Sequence, residues 1–281
     1  MKKSSLYLTL LDYIGHKLSI KKSKDRARRF NRFIEKTGVY PFVQPIFNTD
    51  GDAVIGCEIL LRLKTRDGYI TPGAYINELE ESEHINVITC KLLAEVTKYF
   101  LLENCELPEG FYFSLNIFAP QLSHPDIIRK ILSFNAAFKG KASLVLEIVE
   151  RGTLALDDST METMEELMSK GIRFAIDDFG AGTSSLKYIE HVGFSTIKID
   201  RALTLATGNK LIYAKVIDAI VTLSSRLGLS VTAEGIENSV QQELLHKAGV
   251  NAMQGYYLAR PMDLNKFGAM LRSAGHYKWG K

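Results

Sequence analysis

Two adjacent aspartates, Asp177 and Asp178, stand where the apolar run Phe174-Ala175-Ile176 stops, and Phe179-Gly180-Ala181-Gly182 follows them. Other apolar runs in the chain end on polar groups in the same way. Asn116, Glu147, Lys198, Glu234 and Gln254 each close such a run. Glu58 lies inside an early run, with Arg62 four residues on and on the same face, because strand side chains alternate. If these strand ends meet in space, Glu58, Glu147, Asp177, Asp178 and Glu234 line one cup. So many carboxylates repel one another and take up protons unless cations compensate them. Hard divalent ions such as Mg²⁺ or Mn²⁺ choose oxygen ligands, which carboxylates and an Asn carbonyl supply. Along a strand the two aspartates would face opposite ways. At its end, Gly180 and Gly182 let the chain turn so that Asp177 bridges two ions and Asp178 reaches the second. Two ions roughly 3.5–4 Å apart are a usual device for hydrolysing phosphodiesters.

Each residue also has a structural reading. Asp178 can cap a helix beginning at Gly182-Thr183-Ser184-Ser185-Leu186. Lys198 can pair with a structural acid, Glu58 with Arg62, and Asn116 can satisfy a turn. Glu237 suits a first helical turn, where acids are favoured. The recurrence of polar groups at successive strand ends tips the balance toward a site.

Gathering these groups requires converging strands. The segments 39–48 and 53–63 read as strands around the turn signal Thr49-Asp50-Gly51-Asp52, a connection so short that it joins antiparallel strands. A helical stretch over roughly 72–103 follows. Strands are then expected at 111–118, 143–150, 173–179, 195–200, 230–236 and 252–258, with helices between them at 157–170, 209–227 and 239–247, and a last one after 263. Eight strands, six of them separated by helices, predict an α/β fold: a modified TIM-type (β/α)8 barrel with an antiparallel first strand. An open doubly wound sheet competes, but no glycine-rich phosphate loop follows the first strand. In a barrel the strand ends converge on the face that carries active sites.

Composition agrees. The chain has 281 residues, 46% apolar and 24% charged, an ordinary soluble globular balance. Its length suits one α/β barrel. Cys57, Cys90 and Cys105 form no CxxC pair and read as reduced thiols of a cytoplasmic protein. The net charge of +3 hides an asymmetry: residues 1–32 hold ten Lys/Arg against two acids, and the remainder is net negative. The expected organisation is a basic helical arm over 1–38, the barrel over 39–275 and a tail over 276–281. The arm's apolar stretch, residues 5–20, is too short to span a membrane and is interrupted by Asp12. It reads as an amphipathic helix packed on the body or a partner subunit. Peripheral membrane contact is the competing role, and stable nucleic-acid binding is not expected.

Taken in order, "GCEILLR", "FSLNIFAPQL", "LEIVE", "IDDFGAGTSSL", "IKID", "TAEGIE" and "MQGYYLARP" resemble the signature segments of EAL-domain cyclic di-GMP phosphodiesterases. "FVQPI" and "ITPGAYINELEES" resemble that family's opening, so the resemblance covers about residues 39–262. It implies a modified barrel with an antiparallel first strand pair. It also implies hydrolysis of cyclic di-GMP to the linear dinucleotide pGpG with two Mg²⁺ or Mn²⁺ ions, in a homodimer. Carried over, Glu58, Asn116, Glu147 and Asp177 resemble ligands of the first ion, and Asp177, Asp178 and Glu234 those of the second. Lys198 resembles the lysine that positions and activates the attacking water, and Gln254 the glutamine beside the metal-bound waters. Glu237 is expected to orient this shell. Gln44 and Arg62 resemble substrate contacts, and Glu150 the glutamate that anchors the loop after "DDFG". Ile59 departs from the family's usual Ala, and Ala181 and Thr183 from its commoner Thr and Tyr. Three rival readings are weighed against this one. They are a catalytically silent relative that only binds, a glycoside hydrolase using two carboxylates, and a nucleic-acid binder acting through the arm.

Overall fold

The structure, a computed structural model, describes residues 32–34, 37–66, 68–74, 76–80, 82, 84–149, 157–180 and 193–274. Most of the arm, the tail, Glu150, Ala181 and Thr183 lie outside the described residues.

The chain opens with the hairpin β1 (Gly38–Asn48) and β2 (Val54–Thr65), and a short β3 (Gly68–Ile70) folds back on β2. After α1 (Ile76–Glu80) and α2 (His84–Leu102), strands and helices alternate. They are β4 (Tyr112–Ile117), α3 (Pro125–Ala137), β5 (Ser143–Val149), α4 (Asp158–Ser169), β6 (Arg173–Phe179) and β7 (Thr196–Ile199). The ribbon β8 (Ala206–Thr207) and β9 (Lys210–Leu211) then precedes α5 (Ala214–Leu227), β10 (Ser230–Ala233), α6 (Ser239–Lys247), β11 (Ala252–Met253), β12 (Met262–Asp263) and α7 (Leu264–Ala274).

Pairing runs β1-β11-β10-β7-β6-β5-β4-β2, and β2 returns to β1, closing an eight-strand barrel. β1 is antiparallel to both neighbours, and the other six pairings in the ring are parallel. The barrel with one reversed strand is therefore the observed architecture.

Alternation sorts each strand between two environments. On β4, Phe113, Leu115 and Ile117 point outward and are buried beneath helices, whereas Ser114 and Asn116 point into the lumen. Phe113 packs on Phe100, Phe111, Phe134 and Phe138 at centroid distances of 4.8–5.4 Å. Each such aromatic pair adds about 0.5–1.5 kcal/mol beyond its buried area.

Three elements differ from expectation. The stretch 72–103 breaks into a 3₁₀ turn (Pro72–Ala74), α1 and α2. Residues 206–211 form the β8–β9 ribbon around Gly208, whose φ of +56° makes a turn, so the helix expected from 209 begins at Ala214. β10 and β11 stop at Ala233 and Met253, well short of 236 and 258. Among the described residues no helix is long and apolar enough to cross a membrane.

Candidate active site

The parallel strands carry their terminal polar side chains to one mouth of the barrel, and register does the alignment. Gln44 faces Glu58 across β1–β2, Asn116 lies beside Glu147 across β4–β5, and Thr232 beside Lys198 across β7–β10. At the centre is Lys198, 2% exposed. Its Nζ lies 2.6 Å from Glu234 Oε1, 2.7 Å from Glu147 Oε2, 3.2 Å from Asp177 Oδ1 and 3.8 Å from Glu58 Oε2. Asn116 Nδ2 donates to Glu58 Oε1 at 2.7 Å, and Gln254 Nε2 donates to Glu58 Oε2 at 2.9 Å. Six of the expected residues thus form one connected cluster around a single ammonium.

The two aspartates come together by a device that alternation alone does not reveal. β6 shifts register against β7 between Ile176 and Phe179, and Asp178 adopts a left-handed φ of +53°. That conformation is uncommon outside glycine but tolerated by Asp. The bulge breaks the two-residue alternation. Oxygens of Asp177, Asp178 and Glu234 then lie within 4.8 Å of one another. The turn expected at Gly180 is present, with φ +93°, but the reorientation already begins at Asp178.

Glu234 and Gln254 are presented by close packing at two glycines. Gly235 has φ +68°, and a Cβ there would fall 2.3 Å from Arg201 Cβ. A Cβ on Gly255 would fall 2.2 Å from both the amide nitrogen and the carbonyl oxygen of Ile236. The chain therefore leaves β10 and β11 abruptly, with Glu234 and Gln254 at the rim. Thr204 Oγ1 donates to the Glu234 carbonyl at 2.7 Å, and Gln241 Nε2 to the Thr204 carbonyl at 3.2 Å. Both positioning residues escaped the sequence reading. Gln241 carried a signal, since Asn238 and Gln241 stand at capping-box spacing at the start of α6.

Electrostatics follow from burial. Burial alone would lower the Lys198 pKa, but Asp177, Glu147, Glu234 and Glu58 reverse this and hold it well above its ordinary value. Burial raises Glu147 well above the usual carboxylate range; Lys198 opposes this, and Glu58 and Asp177 add to it. Burial pushes Glu234 up to about 8, with Lys198 opposing and Asp177 and Glu58 reinforcing.

The donor set fits hard divalent cations. One ammonium has three protons to share among four carboxylates. Asp177 Oδ1 and Gln254 Oε1 are buried without a hydrogen-bond partner among the described residues, although Asp177 Oδ1 sits close to the ammonium. With its Nδ2 engaged by Glu58, Asn116 keeps its amide oxygen for an ion. Oxygen-only ligation of this kind selects Mg²⁺- or Mn²⁺-class ions.

Gln44 is buried and donates to the Ala259 carbonyl at 3.2 Å. Arg62 lies further out on β2, donating to the Leu61 carbonyl at 2.7 Å with its guanidinium 5.5 Å from the Phe42 ring. Ile59 is buried on the face opposite Glu58 and lines a cavity of about 310 Å³ whose other walls include Leu92, Leu115, Asn116, Asp177 and Asp178. Glu237 is not gathered in. Its side chain is exposed, its backbone N–H donates to Gln241 Oε1 at 2.8 Å, and among the described residues no bond joins its carboxylate to the cluster.

The chain is similar to PdeN of Escherichia coli (strain K12), named a probable cyclic di-GMP phosphodiesterase, at 36% identity over 258 residues, 90% of this chain and 49% of the relative. It is similar to PdeL of the same organism, named a cyclic di-GMP phosphodiesterase, at 30% identity over 229 residues, 81% of this chain and 63% of the relative. The chain thus spans less than two thirds of the length of these curated relatives. Among solved structures, the PaMucR phosphodiesterase in complex with c-di-GMP superposes with a TM-score of 0.70 at 30% identity, over 82% of this chain and 99% of that one. The family model for the EAL domain matches residues 27–261, a span that holds the whole lysine-centred cup, and the chain belongs to the EAL domain family.

Proposed function

We propose that this chain hydrolyses one phosphodiester bond of cyclic di-GMP to give linear pGpG, using two Mg²⁺ or Mn²⁺ ions. The observation that carries this reading is the buried Lys198 ringed by four carboxylates, with Asp177, Asp178 and Glu234 at ligand spacing beside it. Five carboxylates against one ammonium leave four negative charges, which two divalent ions would neutralise. The names of PdeL and of the PaMucR complex support the substrate.

In this reading Glu58, Asn116, Glu147 and Asp177 hold one ion, and Asp177, Asp178 and Glu234 the other. Bound divalent ions would supply Lewis acidity toward the phosphate and a more acidic water. Lys198 keeps its proton and orients the water for attack at phosphorus. Gln254 fixes Glu58 and offers its amide oxygen to the same region. Gln44 and Arg62 hold the substrate from β1 and β2. Glu237, being exposed, acts at most through the start of α6. The same reading takes the chain to be a cytoplasmic homodimer, with exposed Leu205, Ile212, Tyr213 and Val216 supplying an apolar face, and sedimentation velocity tests it.

The deciding experiment incubates purified protein with cyclic di-GMP and Mg²⁺ or Mn²⁺ and follows pGpG by chromatography. Hydrolysis that stops on chelation supports the reading. Tight binding without hydrolysis would make the chain a receptor, and metal-independent hydrolysis would remove the ions from the mechanism.

A further inference from the structure

β1 and β2 outrun the barrel. β2 last pairs with β4 at Ile59–Leu115, yet its pairing with β1 continues to Gly38–Lys64, and β3 joins it from Leu63 to Thr65. These three strands stand above the rim on the side of the cup where Glu58 lies. One face of this extension is covered: Val39, Val43, Leu61 and Leu63 are at most 8% exposed. The other face continues that of Gln44 and Glu58, because side chains two apart share a side. It carries Phe42, Tyr40, Arg62 and Lys64, and Tyr69 of β3 opposite Lys64.

These side chains form a ladder of rings and cations. Tyr69 packs on Tyr40 at 5.5 Å and on Phe42 at 5.0 Å. Lys64 Nζ lies 5.5 Å from the Tyr40 centroid and 5.8 Å from that of Tyr69. Tyr40 and Tyr69 remain 39% and 46% exposed, and among the described residues no carboxylate pairs with Lys64. Partly exposed rings interleaved with cations are the chemistry that holds unpaired nucleotides, bases stacking on rings and phosphates meeting ammonium groups.

We propose that this ladder is a nucleotide platform that binds the purine nucleotide lying outside the metal cup. The inference rests on the phosphodiesterase reading above. Arg62 and Lys64 lie four and six residues past Glu58, about 13 and 20 Å along the strand, so the platform extends outward from the cup. The purine nucleotide has two sources, the far half of the cyclic substrate or the freed end of linear pGpG.

The test uses the full chain and compares wild type with Tyr40→Ala/Tyr69→Ala, Tyr40→Phe/Tyr69→Phe and Lys64→Ala. Initial rates give KM for cyclic di-GMP, product inhibition gives Ki for pGpG, and calorimetry measures pGpG binding to chelator-treated protein. Loss of stacking in the Ala pair is expected to weaken binding about tenfold, as a rise in KM rather than a fall in kcat. A shift in KM assigns the platform to the substrate, and a shift only in Ki to the product. The Phe pair keeps its rings and is expected to match wild type. Lys64→Ala is expected to weaken binding and to make it less sensitive to added salt, because one screened cation–phosphate attraction is lost. Unchanged KM, Ki and pGpG affinity in the Ala pair overturns the platform. The calorimetric arm reads it even in a wild type that hydrolyses nothing, a result that would sink the phosphodiesterase reading instead.

Discussion

Phe113 and Asn116 are three residues apart on β4 and serve opposite ends. Phe113 points outward into a close-packed jacket of aromatic rings. Asn116 points inward to Glu58, in a lumen built from charge. The jacket gains stability from buried apolar area, and an unpaired polar group there costs free energy. The lumen does the reverse, concentrating carboxylates whose mutual repulsion a single lysine only partly relieves. Stability and chemistry therefore occupy the two faces of the same strands, and each face can be altered while the other is watched.

The largest expected effect is on the lumen. Lys198→Ala should slow hydrolysis by about 10²–10³-fold, the range for losing one preorganised hydrogen-bond donor. The metal-free variant should lose about 3–5 kcal/mol of stability, because its buried carboxylates are left without their cation. Urea unfolding with and without Mn²⁺ checks this, and the ion should restore much of the loss. Asp177→Ala should likewise remove nearly all turnover; a folded Asp177→Ala enzyme with half the wild-type rate would break the assignment.

The jacket should respond the other way. Phe113→Ala should cost about 3–5 kcal/mol of stability through the cavity it leaves. The kcat of its folded fraction, measured below the new transition temperature, should stay near wild type. A large fall in kcat at full folding would show that the two faces are coupled.

A third measurement sharpens the contrast through pH. Glu234 is held up to about 8 in the fold against an ordinary 4.5, and Glu147 is raised likewise. Between those limits the folded state binds more protons than the unfolded one, so metal-free stability should fall as pH rises from about 5 to 8. Lys198, raised above 10.5, keeps its contribution through this window. Thermal melts in chelator should therefore decline across it, and saturating Mg²⁺ or Mn²⁺ should flatten the decline. A chelated protein whose melting temperature rises over that range would contradict the buried-acid picture.

The smallest effect belongs to Glu237. Being exposed, Glu237→Gln should change stability by less than about 0.5 kcal/mol. A large loss of turnover in that variant would return it to the cup.

Much of this was legible in one dimension. Alternating apolar runs with polar ends marked β4, β5 and β6 and placed Asn116, Glu147 and Asp177 at one mouth. A short turn between two long runs required the reversed first strand. These features are local, since side-chain period and turn length are properties of consecutive residues. Tertiary structure decided the rest. That Lys198 is the hub of four carboxylates depends on barrel closure, which brings residues 58 and 198 within 3.8 Å. The shortness of β10 and β11 depends on Gly235 and Gly255 meeting Arg201 and Ile236 across the fold. The left-handed turn at Asp178 depends on the register shift against β7, and the exposure of Glu237 on how α6 docks. Contacts between distant residues carry no period in the sequence. They are settled by which packing buries the apolar faces while leaving each buried charge a partner.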